Sequence, residues 1–167
     1  SREFDNGATE KRIIRFLSPP EVKGTGMLIF DYEEKNDDMW IYMPALRKTR
    51  RIVSGEKSKS FMGSEFSNAD MSAPNLEDFE YSILRSETVD GTECWVIEEI
   101  PVDESVMDEM GYDRRISWIG KTDYVQRKSD YYNEDGELFK QLRSTNIRAI
   151  DPAGEKFMAL YMEMENK

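Results

Sequence analysis

The chain has 167 residues, 38% hydrophobic and 34% charged, with 34 acidic against 23 basic residues and a net charge of −11. This length suits one domain with a full hydrophobic core, and the negative charge repels nucleic-acid phosphate wherever basic residues are not concentrated, so no nucleic-acid partner is expected. The absence of His removes the commonest general base and metal ligand, and with it Ser-His and Cys-His catalysis.

Strand signals begin at 11–17 and recur at 26–32, 39–43, 49–53, 79–85, 93–100, 115–119, 124–132, 138–145 and 157–164. Ten short segments at this spacing predict an antiparallel meander with at least half of the chain in strands. Asp90-Gly91 predicts the turn before the Cys94 strand, Asn133-Glu134-Asp135-Gly136 a hairpin, and Asp151-Pro152-Ala153-Gly154 a turn before the last strand. Helix signals are few. Asp103 caps a predicted one- to two-turn helix with Val106 and Met110 on one side and Gly111 at its end, and 67–71 predicts a further turn before Pro74.

Alternation shows which faces are wet. Phe79, Tyr81 and Ile83 oppose Glu80 and Ser82, as expected for a sheet with one solvated face. Other strands are apolar on both sides: Leu28, Phe30 and Tyr32 oppose Met27 and Ile29, Trp40 and Tyr42 oppose Met39, Ile41 and Met43, and Met158, Leu160, Met162 and Met164 oppose Phe157, Ala159 and Tyr161. Two apolar faces require two covers, a helix or a ligand on the second. Ten Met residues serve either a core or an adaptable binding surface.

Arg47, Lys48, Arg50 and Arg51 form the one dense basic cluster. On a strand, Arg47 and Arg51 face one way and Lys48 and Arg50 the other, so the charges split instead of forming one clamp. Pairing with carboxylates is the plain reading, and contact with an anionic headgroup or acidic partner the functional one. The acidic stretches 31–38 and 103–109 suggest calcium or a carboxylate pair, but the first lacks the Gly and alternating ligand spacing of a calcium loop and reads as a charged turn. Cys94, the single cysteine, lies among Trp95, Val96 and Ile97 and reads as a small packed hydrophobe. No metal, cofactor or enzymatic activity is therefore expected.

The order of segments resembles a known family. Phe16-Leu17-Ser18-Pro19-Pro20-Glu21-Val22-Lys23-Gly24-Thr25-Gly26, then Trp40-Ile41-Tyr42-Met43-Pro44, Arg50-Arg51-Ile52, Phe61-Met62-Gly63-Ser64-Glu65-Phe66 and Asp70, with 112–118 and the Gly136-Glu137-Leu138-Phe139-Lys140 hairpin, resemble the LolA-like outer membrane lipoprotein-sorting proteins of Gram-negative bacteria. The resemblance covers nearly the whole chain, with Glu65 standing where Asp is expected. It implies a mainly β fold in which one highly curved antiparallel sheet forms a half-open, incomplete barrel, its apolar concave side lidded by helices. It also implies a single LolA-like domain over 1–167, lacking an N-terminal helix and first strand or strands.

The function implied is that of a periplasmic carrier holding lipid or lipoprotein acyl chains, with an inner-membrane transporter or outer-membrane receptor as candidate partners. The cavity candidates are Leu28, Phe30, Trp40, Tyr42, Phe61, Met62, Trp95, Trp118, Leu160 and Met162, with Arg47, Lys48, Arg50 and Arg51 as headgroup or partner contacts. The alternative is an envelope-stress sensor or adaptor that uses the same half-barrel as a protein-interaction surface. The start, Ser1-Arg2-Glu3-Phe4-Asp5, is not that of a signal peptide, so an exported protein is expected here in processed form.

Overall fold

The computed structural model describes residues 2–4, 9–32 and 37–167. The fold is mainly β, 55% strand, with two antiparallel sheets, one α-helix and no closed barrel. The strands, in chain order, are β1 (Arg2–Phe4), β2 (Thr9–Arg15), β3 (Gly26–Tyr32), β4 (Asp38–Met43), β5 (Lys48–Ile52), β6 (Phe79–Val89), β7 (Thr92–Pro101), β8 (Arg114–Gly120), β9 (Gln126–Tyr132), β10 (Leu138–Ala149) and β11 (Phe157–Asn166); helix α1 (Glu104–Met110) lies between β7 and β8. All ten segments expected from the sequence are strands, and within each sheet consecutive strands pair as expected of a meander. Where one sheet was expected, the meander is divided into a five-stranded sheet, β1 to β5, and a six-stranded sheet, β6 to β11. The chain correspondingly forms two compact units, Ser1–Asn75 and Leu76–Lys167.

In the first unit, register carries the alternation of the sequence across the sheet. Ile13, Leu28, Trp40 and Arg51 stand in one row, and Ile14, Met27, Ile41 and Arg50 in the adjacent one. The second row belongs to the buried face, where Met27, Ile29, Met39, Ile41 and Ile52 pack with Phe61, flanked by Ile14, Phe16, Met43, Phe66 and Met71. The cover is therefore the connection between β5 and β6, not a long helix. It is pinned by Arg12 Nη1 donating to the Met71 carbonyl at 3.3 Å and by Asp70, which accepts from the Ser67 amide and hydroxyl at 2.7 and 2.9 Å. The acidic turn expected at 31–38 falls in part, at 33–36, outside the described residues.

In the second unit, local chemistry sets the turns. Asp90 and Gly91 have φ of 48° and 80°, the paired positive angles of a two-residue hairpin whose twist matches its strands. Asn133 closes the β9–β10 turn, its Oδ1 accepting from the Glu137 amide at 2.9 Å. Helix α1 ends as the sequence predicts: Asp103 accepts from the Val106 amide at 3.0 Å, and Gly111, at φ 77°, donates to Met107. One face of the sheet carries a core of Cys94, Val96 and Trp118, with Val89 and Ile116 against it. Burial pushes the Cys94 thiol pKa up, consistent with a packed and unreactive side chain. No helix among the described residues is long and apolar enough to cross a membrane.

Candidate ligand-binding surface

The face of the first sheet that turns away from its core carries an open concavity of about 600 Å³, lined by residues of β2, β3, β4 and β5. This volume lies within the range of about 300–1,000 Å³ common for ligand sites. Its floor is Leu28, Phe30 and Trp40, extended by Ile13 and Tyr42. Ile13 is 75% exposed and Tyr42 42%, although each is on a strand whose opposite face is buried. Period-2 geometry explains this: a strand with Met27 and Ile29 inward must place Leu28 and Phe30 outward. Phe30 and Trp40 meet edge to face with ring centroids 5.1 Å apart, and Lys11 Nζ lies 4.8 Å from the Phe30 ring. Gly26 stands between Arg15 and Tyr42 in its row, and a Cβ there would find only the Ile14 carbonyl, at 4.0 Å. The lack of a side chain deepens the floor at that point.

The structure thus brings four of the expected cavity residues, Leu28, Phe30, Trp40 and Tyr42, onto one surface. It places the others elsewhere. Phe61 is buried on the opposite face of the same unit, 5.4 Å from Phe16 between ring centroids. Met62 is exposed in the turn beyond it. Trp95, Leu160 and Met162 belong to the second unit, on the face defined by the row Ile97, Ser117, Ser129, Leu142 and Met164. Trp95 stacks on Tyr124 at 6.0 Å, whereas Leu160 and Met162 on edge strand β11 are more than half exposed. Trp118 lies on the other face of that sheet, its Nε1 donating to Glu87 at 2.6 Å with Lys128 4.2 Å from its ring.

The basic cluster divides as its alternation predicts. Arg50 pairs with Glu56 at 2.6 Å, which holds that carboxyl below the usual range, and Arg51 pairs with Asp38. Arg47 and Lys48 are exposed and have no carboxylate partner among the described residues. Lining residues that sequence reasoning missed are Ile13, Arg15, Gly26 and Thr49. The signal for Ile13 was present, since Ile13 and Ile14 are adjacent on one strand and only one can face the core.

A second cluster missed from sequence is polar and buried. Arg115 pairs with Glu99, Ser117 donates to Glu99 at 2.6 Å, and Ser117 and Ser129 lie 2.7 Å apart. Burial disfavours the Arg115 charge, but Tyr112 and Glu99 outweigh it and raise its pKa above the ordinary value. These interlocked groups are mostly buried within the second sheet.

A family model described as an uncharacterized protein matches residues 8–167. Among solved structures, the chain is similar to a domain described as an outer membrane lipoprotein-sorting protein domain from Vibrio parahaemolyticus, with 33% identity over 96% of this chain and 66% of that one and a TM-score of 0.82. It is also similar to a DUF1329 family protein from Desulfovibrio piger, with 31% identity over 98% of this chain and 67% of that one and a TM-score of 0.83. A LolA superfamily protein from Nitrosomonas europaea shares the fold at 23% identity, over 94% of this chain and 64% of that one, with a TM-score of 0.62. The chain spans about two thirds of the length of each of these structures. No curated protein matches it. The fold is LolA-like. The chain belongs to the DUF1329 family and is similar to the outer membrane lipoprotein-sorting protein domain.

Proposed function

We propose that the protein is a periplasmic carrier that shields acyl chains of a lipid or lipoprotein on the open apolar face of its first sheet, without covalent chemistry. The observation that carries this reading is the continuous floor of Leu28, Phe30 and Trp40 on the face opposite a complete core. The core already has its cover in Phe61, Phe66 and Met71, so this floor is surplus to folding. An apolar surface left exposed in this way marks a binding site.

Magnitudes are adequate for transient carriage. About fifteen fully buried methylenes at about 0.8 kcal/mol each contribute at most roughly 12 kcal/mol, and association costs of at least about 4 kcal/mol leave at most roughly 8, a micromolar affinity or weaker. Weak enough to release its cargo, such a site suits exchange between an inner-membrane transporter and an outer-membrane receptor. Native mass spectrometry after incubation with a bacterial membrane lipid extract tests the reading: lipid adducts on the wild type, lost in Trp40→Glu, are expected. A wild type that emerges without lipid, yet retains a protein partner through the same face, would replace the carrier with the sensor or adaptor reading.

A further inference from the structure

We infer that Arg15 is the headgroup anchor of this surface, which makes the ligand an acyl lipid with an anionic headgroup; the inference rests on the carrier reading above. In this acidic chain, arginines are usually neutralised. Arg12, Arg50, Arg51, Arg85, Arg114, Arg115 and Arg127 each pair with a carboxylate. Arg15, Arg47, Arg143 and Arg148 have no such partner among the described residues, and of these four only Arg15 lines the apolar concavity.

Its position follows from register. Arg15, Gly26, Tyr42 and Thr49 form one row across four strands, the next row on the same face after the one that holds Ile13, Leu28 and Trp40. Neighbouring strands lie about 5 Å apart, so the absent side chain at Gly26 leaves an open path from the guanidinium towards the Tyr42 and Thr49 hydroxyls. A guanidinium presents a fork of donors matched to a carboxylate or phosphate, and the two hydroxyls add polar partners on the far side of the gap. An acyl chain lying over Leu28, Phe30 and Trp40 then ends beside Arg15, which has no carboxylate partner among the described residues. Charge complementarity selects an anionic head over a neutral or zwitterionic one, because the choline group of the latter would meet the arginine as a like charge.

The test compares palmitoyl lysophosphatidic acid with palmitoyl lysophosphatidylcholine, which share one acyl chain and differ in headgroup, by titration calorimetry below their micellar concentrations. Wild-type protein is expected to bind the anionic lipid about tenfold more tightly. Arg15→Gln should remove that preference, lowering affinity for the anionic lipid about tenfold more than for the zwitterionic one, and Arg15→Lys should keep part of it. Arg15 is exposed, so both variants should keep the wild-type far-ultraviolet circular dichroism. Equal wild-type affinities, or a preference that survives in Arg15→Gln, would overturn the anchor and leave the carrier standing. Failure of both lipids to bind the wild type would overturn the carrier and the anchor together.

Discussion

Trp40 meets Phe30 edge to face, 5.1 Å between ring centroids, on the opposite side of the sheet from Met39 and Ile41, which are buried in the core. The two rings are neighbours because β3 and β4 pair antiparallel with Leu28 opposite Trp40. They are available because the core beneath is complete without them.

Replacing Trp40 with Glu should therefore weaken binding of a fluorescent fatty acid at least tenfold, since it puts a carboxylate where an acyl chain would lie and removes a large apolar side chain. Circular dichroism should not change. If the variant unfolds, Trp40 is a core residue despite its outward position, and the floor loses its central member.

Two isoleucines of this sheet should behave in opposite ways. Ile29→Ala empties a fully buried position and should cost about 2–5 kcal/mol in denaturant unfolding. Ile13→Ala, on the open face, should change stability by less than about 0.5 kcal/mol while lowering fatty-acid affinity. Comparable destabilisation by both would show that a part of the protein covers the open face.

The mostly buried network of the second unit predicts a large stability effect. Glu99→Gln would leave the Arg115 guanidinium, whose side chain is only 15% exposed, without its counter-charge, at a cost of about 3–5 kcal/mol. Lipid binding by a folded fraction should be preserved. Altered lipid binding with unchanged stability would instead give the network a functional role.

Acid sensitivity should be traceable to Asp123. Burial opposes its charge, but the Arg127 guanidinium and the Val125 amide outweigh burial and hold its carboxyl below 3.8. A carboxyl with a depressed folded value adds stability above its ordinary pKa and loses it as pH falls through the folded value. Unfolding free energy should thus decline below about pH 4, and less steeply in Asp123→Asn. Asp37 has the opposite sign: burial and then the Asp31 charge push its carboxyl above 3.8, so stability is lost as pH rises through that range. Asp37→Asn, which keeps an acceptor for the Tyr32 amide, should stabilise the protein at pH 7 and do little at pH 3.

Much of the fold was legible in the sequence because the turns carry strong local chemistry. Asp90-Gly91, Asp103 and Gly111 each appear in the structure with the role their residue types require. Strand ends were less legible: β6 runs four residues past Arg85 to Val89 and β10 reaches Ala149, since polar strand ends resemble loops. The division into two sheets depends on the connection between β5 and β6, whose Phe61, Phe66 and Met71 fold back as the core's cover. In sequence, an apolar Gly-Ser loop gives no sign of which face it will meet.

The candidate site was legible to the same extent. Alternation in β3 and β4 was enough to name Leu28, Phe30, Trp40 and Tyr42, but not to decide which face would be covered. Arg15 escaped notice because a charge at the end of an apolar strand usually marks the edge of the buried region. Only register shows that it shares a row with Gly26 and Tyr42.

The most direct test of acyl-chain carriage on this face is photolabelling with a diazirine-bearing palmitic acid, followed by peptide mapping. The account predicts label concentrated in β3 and β4, over 26–32 and 38–43, and competed away by unlabelled palmitate. Label confined to the exposed β11 segment 157–162, or spread without competition, would contradict it.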